Sequence, residues 1–217
     1  MKTLLLKSFV LVALITFTSC GDKAKEAETT KAAEAAKAEA TAVNYKVDTE
    51  NSTIEWKGFK PTGEHFGTIA IQEGKLQATD GELAAGKFII DMNSIEVLDI
   101  PADDESHAKL TGHLKSADFF EVEKFSTSNF EMTGISTKDG QTMLSGNLTL
   151  KDATNNVTFP VTVDNKGETI TLTSETFTID RSKWNVKYGS KSFFSDLGDK
   201  FINDDIELKV VVKATKA

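Results

Sequence analysis

The side chains of this chain that could do chemistry are few and scattered: three histidines, one arginine and one cysteine. His65, His107 and His113 fall at no metal-binding spacing, and on a helix the last two would point to different faces. Acid pairs such as Asp103-Asp104 and Asp204-Asp205 suit solvated turns better than calcium ligands. A glycine-rich phosphate loop, a nucleophile elbow and an activated cysteine are all absent. The pattern predicts no catalysis, no metal and no cofactor. Arg181 is the sole arginine. Its planar fork grips carboxylate or phosphate through two parallel hydrogen bonds, which lysine cannot reproduce. That leaves it two uses: a ligand head group, or a neighbouring acid such as Asp180 at a strand end.

Cys20 stands in the most telling context. Met1, Lys2 and Lys7 precede the apolar run Phe9–Phe17, and Thr18-Ser19 follow. A charged start, a short apolar run and small residues before a cut site describe a secretory signal over residues 1–19. The run is shorter than the roughly 20 apolar residues that span a bilayer. Phe17-Thr18-Ser19-Cys20 resembles a bacterial lipobox, with Phe17 in place of the usual leucine. That resemblance implies a lipidated Cys20 at the head of a cell-envelope protein, periplasmic or attached to the outer membrane. The alternative is plain secretion with a free thiol. Residues 20–43 are dominated by alanine, lysine and glutamate, with no large apolar residue before Val43. Such sequence is expected to be a marginal helix or a flexible spacer holding the domain away from the membrane.

The net charge of -8 makes nucleic acid and anionic lipid poor electrostatic partners. One cysteine allows no internal disulfide, so residues 44–217 must be stabilised by their core. From Tyr45 onward apolar residues alternate with period two, as in Phe88-Ile90-Met92, Val157-Phe159-Val161-Val163 and Ile206-Leu208-Val210-Val212. Eight strands are predicted, near 52–60, 65–73, 87–93, 126–134, 142–151, 156–163, 168–182 and 204–214. Clean alternation and short connections predict an antiparallel sheet closed into a barrel. The longest break, 94–124, carries a short helix starting near Ser106, followed by Phe119-Phe120 as a plug. Gly146 shares strand parity with Leu144, Leu148 and Leu150, and marks a bend or a close approach of backbone or ligand.

His113-Leu114-Lys115-Ser116-Ala117-Asp118-Phe119-Phe120, with Phe125 and Phe130, resembles the signature of the YceI-like family. So do Tyr45-Lys46-Val47-Asp48, Ser52-Thr53-Ile54-Glu55-Trp56, Gly146-Asn147-Leu148-Thr149-Leu150 and Phe177 through Asp180-Arg181-Ser182. Thr111-Gly112 departs from the charged residue that many members carry before the histidine-leucine pair. The resemblance spans about 44–214 and implies an all-β, eight-stranded, lipocalin-like barrel. It also implies binding, storage or transport of a polyisoprenoid or isoprenoid quinone. Phenylalanine, 14 residues strong, offers apolar area with no polar handle, and fits either a lipid-lined lumen or a filled core. The lumen candidates are Phe88, Ile90, Phe119, Phe120, Phe130, Leu148, Phe159, Phe177 and Trp184. His113 and Arg181 are candidates for the ligand's head group. A structural or adhesive envelope protein with a filled barrel is the alternative; the oligomeric state is left open.

Overall fold

The computed structural model describes residues 24–217, so the expected signal region and Cys20 lie outside the described residues. Two short strands come first, β1 (Lys25–Glu26) and β2 (Glu28–Lys31), then β3 (Val43–Val47), β4 (Thr53–Lys60), β5 (Gly63–Ile69) and β6 (Ile71–Thr79). They are followed by β7 (Glu82–Asp91), β8 (Glu96–Val97) and the helix α1 (Glu105–Lys115). Six more strands complete the chain: β9 (Thr127–Lys138), β10 (Gln141–Leu150), β11 (Ala153–Asn165), β12 (Thr169–Ser174), β13 (Phe177–Asp180) and β14 (Asp205–Lys216). Antiparallel pairing runs β3-β6-β7-β9-β10-β11-β12-β14 and returns to β3, closing an eight-stranded barrel. Asp80-Gly81 and Asp139-Gly140 turn two of the hairpins with φ of 52 and 86°, and 51 and 79°. Asp-Gly with both φ positive matches the twist of the flanking strands.

Three staves of the barrel are bent. β3 continues as β4, β5 as β6, and β12 as β13. Two of the predicted strands, 65–73 and 168–182, are therefore each broken, at Ala70 and at Glu175-Thr176. A bend removes backbone partners from the ladder, and a buried N–H without a partner is costly. A serine hydroxyl answers at each break. Ser52 Oγ accepts the Lys213 N–H at 3.0 Å and donates to Asp48 O at 2.6 Å. Ser94 Oγ accepts the Ala70 N–H at 2.7 Å and donates to Asp91 O at 2.6 Å. Ser174 Oγ accepts the Val210 N–H at 2.8 Å.

Within the segment expected as a helical or flexible spacer, residues 25–31 are instead extended and join the wall. β1 lies parallel to β13, pairing Lys25 with Phe177, and β2 lies antiparallel to β11, pairing Thr29 with Val157. β11 is paired with β12 only over Val161–Asn165, which leaves the edge of residues 155–158 to β2. A helix there would satisfy only its own backbone; the extended form satisfies two open sheet edges. Ala27 is buried between them, its N–H on Thr178 O at 2.8 Å. Farther along, Ala33 exchanges two hydrogen bonds with the Asn147 amide, and the Ala36 N–H reaches Met132 O.

Replacing Ser174 with alanine leaves the Val210 N–H at the β12–β13 bend without its acceptor. Ser174→Ala is expected to lower stability by about 1–3 kcal/mol and to speed hydrogen exchange at Val210. Thermal unfolding and amide exchange check it; an unchanged melting temperature with unchanged protection would show the hydroxyl to be dispensable.

Candidate functional site: an apolar cavity with one polar mouth

The ends of the barrel differ because the bends change the number of strands around it. At one end eight strands close on Leu76, Met132, Ile170 and Ala214, whose side chains are buried in the interior. Toward the other end β13 parts from β11, and β1 and β2 occupy the gap. Barrel diameter grows with strand number, so this half is wider, and it holds a cavity of about 330 Å³. That falls in the range of small-ligand sites, about 300–1,000 Å³. Buried side chains thus occupy one end of the barrel, and the cavity lies toward the other.

Apolar side chains make nearly all of the cavity wall. Phe88, Phe130, Phe159 and Phe177 form a chain of rings across it, with centroids 6.2, 5.9 and 4.1 Å apart, the last pair stacked at 6°. Ile90 and Leu148 stand beside them, and Phe119 and Phe120 close over the open end from the segment after α1. Eight of the nine residues expected in the lumen therefore line the cavity. Trp184 does not. It belongs to the 3-10 turn Arg181–Trp184, is 0% exposed, and packs behind the wall with Nε1 donating to Leu148 O at 2.9 Å. An indole N–H is best buried where a carbonyl can receive it, and the apolar lumen has none to offer there.

Gly146 does face inward, but no ligand space lies above it. A Cβ there would land inside the Phe130 ring. The glycine exists to let that ring lie flat against β10 and so form the wall.

The polar wall residues gather where the β4–β5 tip, α1 and the loop before β14 meet. They are Lys60 and His65 from the tip, His113 from α1, and Arg181 and Asn203 from the loop ends; Ser128 on β9 stands apart, its hydroxyl donating to Thr149 O at 2.6 Å. α1 begins at Glu105, one residue ahead of the expected start, and is set by Asp104, whose carboxylate caps it by accepting the Ser106 N–H at 2.8 Å. That bond is the main reason the Asp104 carboxyl sits below its ordinary value. His113 Nε2 donates to Asp118 Oδ2 at 3.1 Å, and its ring meets Phe119 and Tyr188 edge-on at 5.0 and 4.7 Å. His65 Nδ1 donates to Asp99 Oδ2 at 2.7 Å, and the Phe66 N–H donates to Asp99 Oδ1 at 3.0 Å. Burial pushes the Asp99 carboxyl up, but the Phe66 and His65 bonds outweigh it and hold the group below its ordinary value.

Arg181 is buried and already committed. Nε donates to Asn203 O at 3.0 Å, Nη1 to Val186 O at 2.8 Å and Nη2 to Ile202 O at 3.1 Å. Its acid partner is Asp204, at 3.4 Å, and not the adjacent Asp180, whose carboxylate caps the 3-10 turn through the Ser182 N–H. Burial pulls the guanidinium below its ordinary value, while Asp204 and Asp180 push back. The group ties the loop of residues 186–204 to the barrel and roofs Phe119 at 5.7 Å. A head group could reach it only by displacing those carbonyls.

Several lining residues were not singled out from sequence: Trp56, Phe59, His65, Ile202 and the β14 row Ile206, Leu208, Val210, Val212. The alternation of that row was visible, and its parity could have been carried into the lumen. Trp56 Nε1 is buried with no hydrogen-bond partner among the described residues.

A family profile described as a YceI-like domain matches residues 45–214. Among curated relatives, a UPF0312 protein of Pseudomonas putida is 29% identical over 135 residues, covering 60% of this chain and 67% of its own length. The YceI protein of Salmonella arizonae is 31% identical over 133 residues, covering 58% and 63%. The match thus spans about two thirds of those relatives. Among solved structures, Burkholderia cenocepacia BcnA superposes with a TM-score of 0.60 at 21% identity, over 78% of this chain and 99% of that one. A polyisoprenoid binding domain of Saccharophagus degradans, implicated in plant cell wall breakdown, does so at 0.57 and 13% identity, over 81% and 99%. These structural likenesses support the fold.

Gly146→Ala should drive the Phe130 ring off β10 and into the cavity. Overpacking of this kind costs about 1–3 kcal/mol. Thermal unfolding together with a crystal structure of the variant checks both parts; a ring that stays in place at full stability would contradict them.

Proposed function

Since this chain belongs to the YceI-like family, we propose that its cavity takes up the chain of a long isoprenoid lipid, a polyprenol or an isoprenoid quinone. The observation that carries the reading is the one-ended apolar cavity with its phenylalanine wall and polar mouth. Burial of hydrocarbon supplies roughly 0.8 kcal/mol gross per CH₂, reduced by the costs of association. The blocked far end stops the chain, so the head stays at the mouth, near Lys60, His65, His113 and Asn203. The binding domain of Saccharophagus degradans, with the same fold, supports the choice of ligand class. The lipobox-like Phe17–Cys20 supports an exported protein with residues 1–19 removed and Cys20 lipidated, working in the cell envelope.

Mass spectrometry of organic extracts from natively purified protein should find an isoprenoid. Val210→Trp, from a partly buried wall position, fills the cavity. It should abolish the extracted lipid with less loss of stability than insertion into a packed core, which costs about 1–3 kcal/mol. Lipid recovered equally from parent and variant would place the ligand elsewhere. A parent free of lipid would end the carrier reading.

Cys20→Ala tests the anchor separately. A single acyl chain anchors only marginally, whereas several hold firmly. The variant should leave the membrane fraction or accumulate as precursor; normal processing with unchanged retention would refute lipidation.

A further inference from the structure

Large apolar side chains are exposed at seven positions among the described residues, and five of them lie at the mouth end of the barrel. Tyr188, Phe193 and Phe194 stand on the loop between the Arg181–Trp184 turn and β14, and Phe194 is 50% exposed. Phe66 and Leu98, the latter 56% exposed, stand on the outer face of β5 and just after β8, joined by the Leu98 N–H on Phe66 O. The loop is built to present its rings. Arg181 holds its two ends, the Ile202 N–H bonds Gly189 O at 2.8 Å, and the Phe193 and Phe194 N–H groups both fold onto Ser190 O. Tyr188 packs on His113 and Phe119, so the same loop edges the cavity.

Lysines accompany the rings. Lys187 Nζ lies 5.0 Å from the Phe193 ring centre, Lys191 Nζ 3.5 Å from that of Phe201, and Lys57 Nζ 6.0 Å from that of Phe66. Aromatic rings with lysines at their margins fit the boundary of a bilayer, where rings enter the acyl region and ammonium groups stay among phosphates. Asp196 and Asp199 on the same loop offset the lysine charge, and the chain as a whole is at -8. Attraction to anionic lipid therefore does not supply the contact; the rings do.

We propose that the mouth rim is a bilayer-docking surface, with Tyr188, Phe193 and Phe194 inserted and the cavity opening toward the membrane. The proposal rests on the reading that the cavity carries a membrane lipid. Such a lipid is too apolar to cross water, and a mouth seated on the bilayer lets it pass without doing so.

Tryptophan placed at single sites reports the contact. The full chain carrying Phe194→Trp is mixed with phosphatidylcholine vesicles brominated on their acyl chains, and the parent emission from Trp56 and Trp184 is subtracted. Ile135→Trp, exposed on β9 at the packed end, is the control. The position 194 probe should shift to the blue and lose most of its emission to bromine, while the position 135 probe changes in neither respect. Quenching at both sites would mean that the protein lies on the membrane without orientation, and would overturn the proposal. So would quenching at neither, or a blue shift at 194 without quenching, which would mean that the ring is buried against protein and not lipid. Quenching at 194 alone in a protein that yields no extractable lipid would support the docking surface while defeating the carrier function.

Discussion

Everything in this barrel depends on keeping both backbone edges of β14 paired along its whole length. One edge runs against β3 and then β4, the other against β12 and then β13. Each flank breaks once, and at each break a buried serine hydroxyl takes the N–H that the ladder drops. The two serines let the flanking strands change direction without leaving a polar group stranded in the wall. Without the bends the barrel would keep eight strands throughout, and side chains could fill it from end to end. The hollow half is thus a consequence of backbone bookkeeping before it is a consequence of side-chain choice.

Side chains then decide what the hollow is like. Phenylalanine contributes area without a hydrogen-bonding group, so a row of four rings makes a wall that no water needs to solvate. Glycine does the complementary work. At Gly146 it yields its own volume to Phe130, and at Gly74 an added Cβ would press on Phe88 and Val47. Three polar side chains at the rim are held by specific partners, His113 by Asp118, His65 by Asp99 and Arg181 by Asp204. A charge left free in the apolar half would have no such partner.

The closed antiparallel barrel was legible because alternation over Phe88-Ile90-Met92 or Ile206-Leu208-Val210-Val212 has one simple physical meaning. The helix was legible from Asp103-Asp104-Glu105, acids placed where unpaired N–H groups need them. Bends were not, since a serine within a strand reads the same whether its hydroxyl faces water or mends a ladder. Trp184 was misplaced because size and apolarity do not reveal which side of a wall a side chain occupies. Asp180 was the natural partner for Arg181 in sequence, yet its carboxylate caps the turn that Arg181 opens, and the acid that meets the guanidinium comes from the approach to β14. The extended linker was hidden for a different reason. Its alanines, lysines and glutamates favour helix locally, and only two open sheet edges far along the chain override that preference.

The strands at the head of the domain also fix a length. Between Cys20 and Lys25 the chain can reach no more than about 18 Å fully extended, and at Lys25 it enters the wall. An anchor at Cys20 would therefore be a short leash, with no long arm behind it on which the barrel could swing freely. Its point of attachment lies on the flank beside β13, the strand that carries Phe177 and leads to Arg181. A tether that short restricts which side of the molecule can be turned away from the surface that holds it. Orientation, in such an arrangement, is a property of the covalent chain as much as of any contact made afterwards.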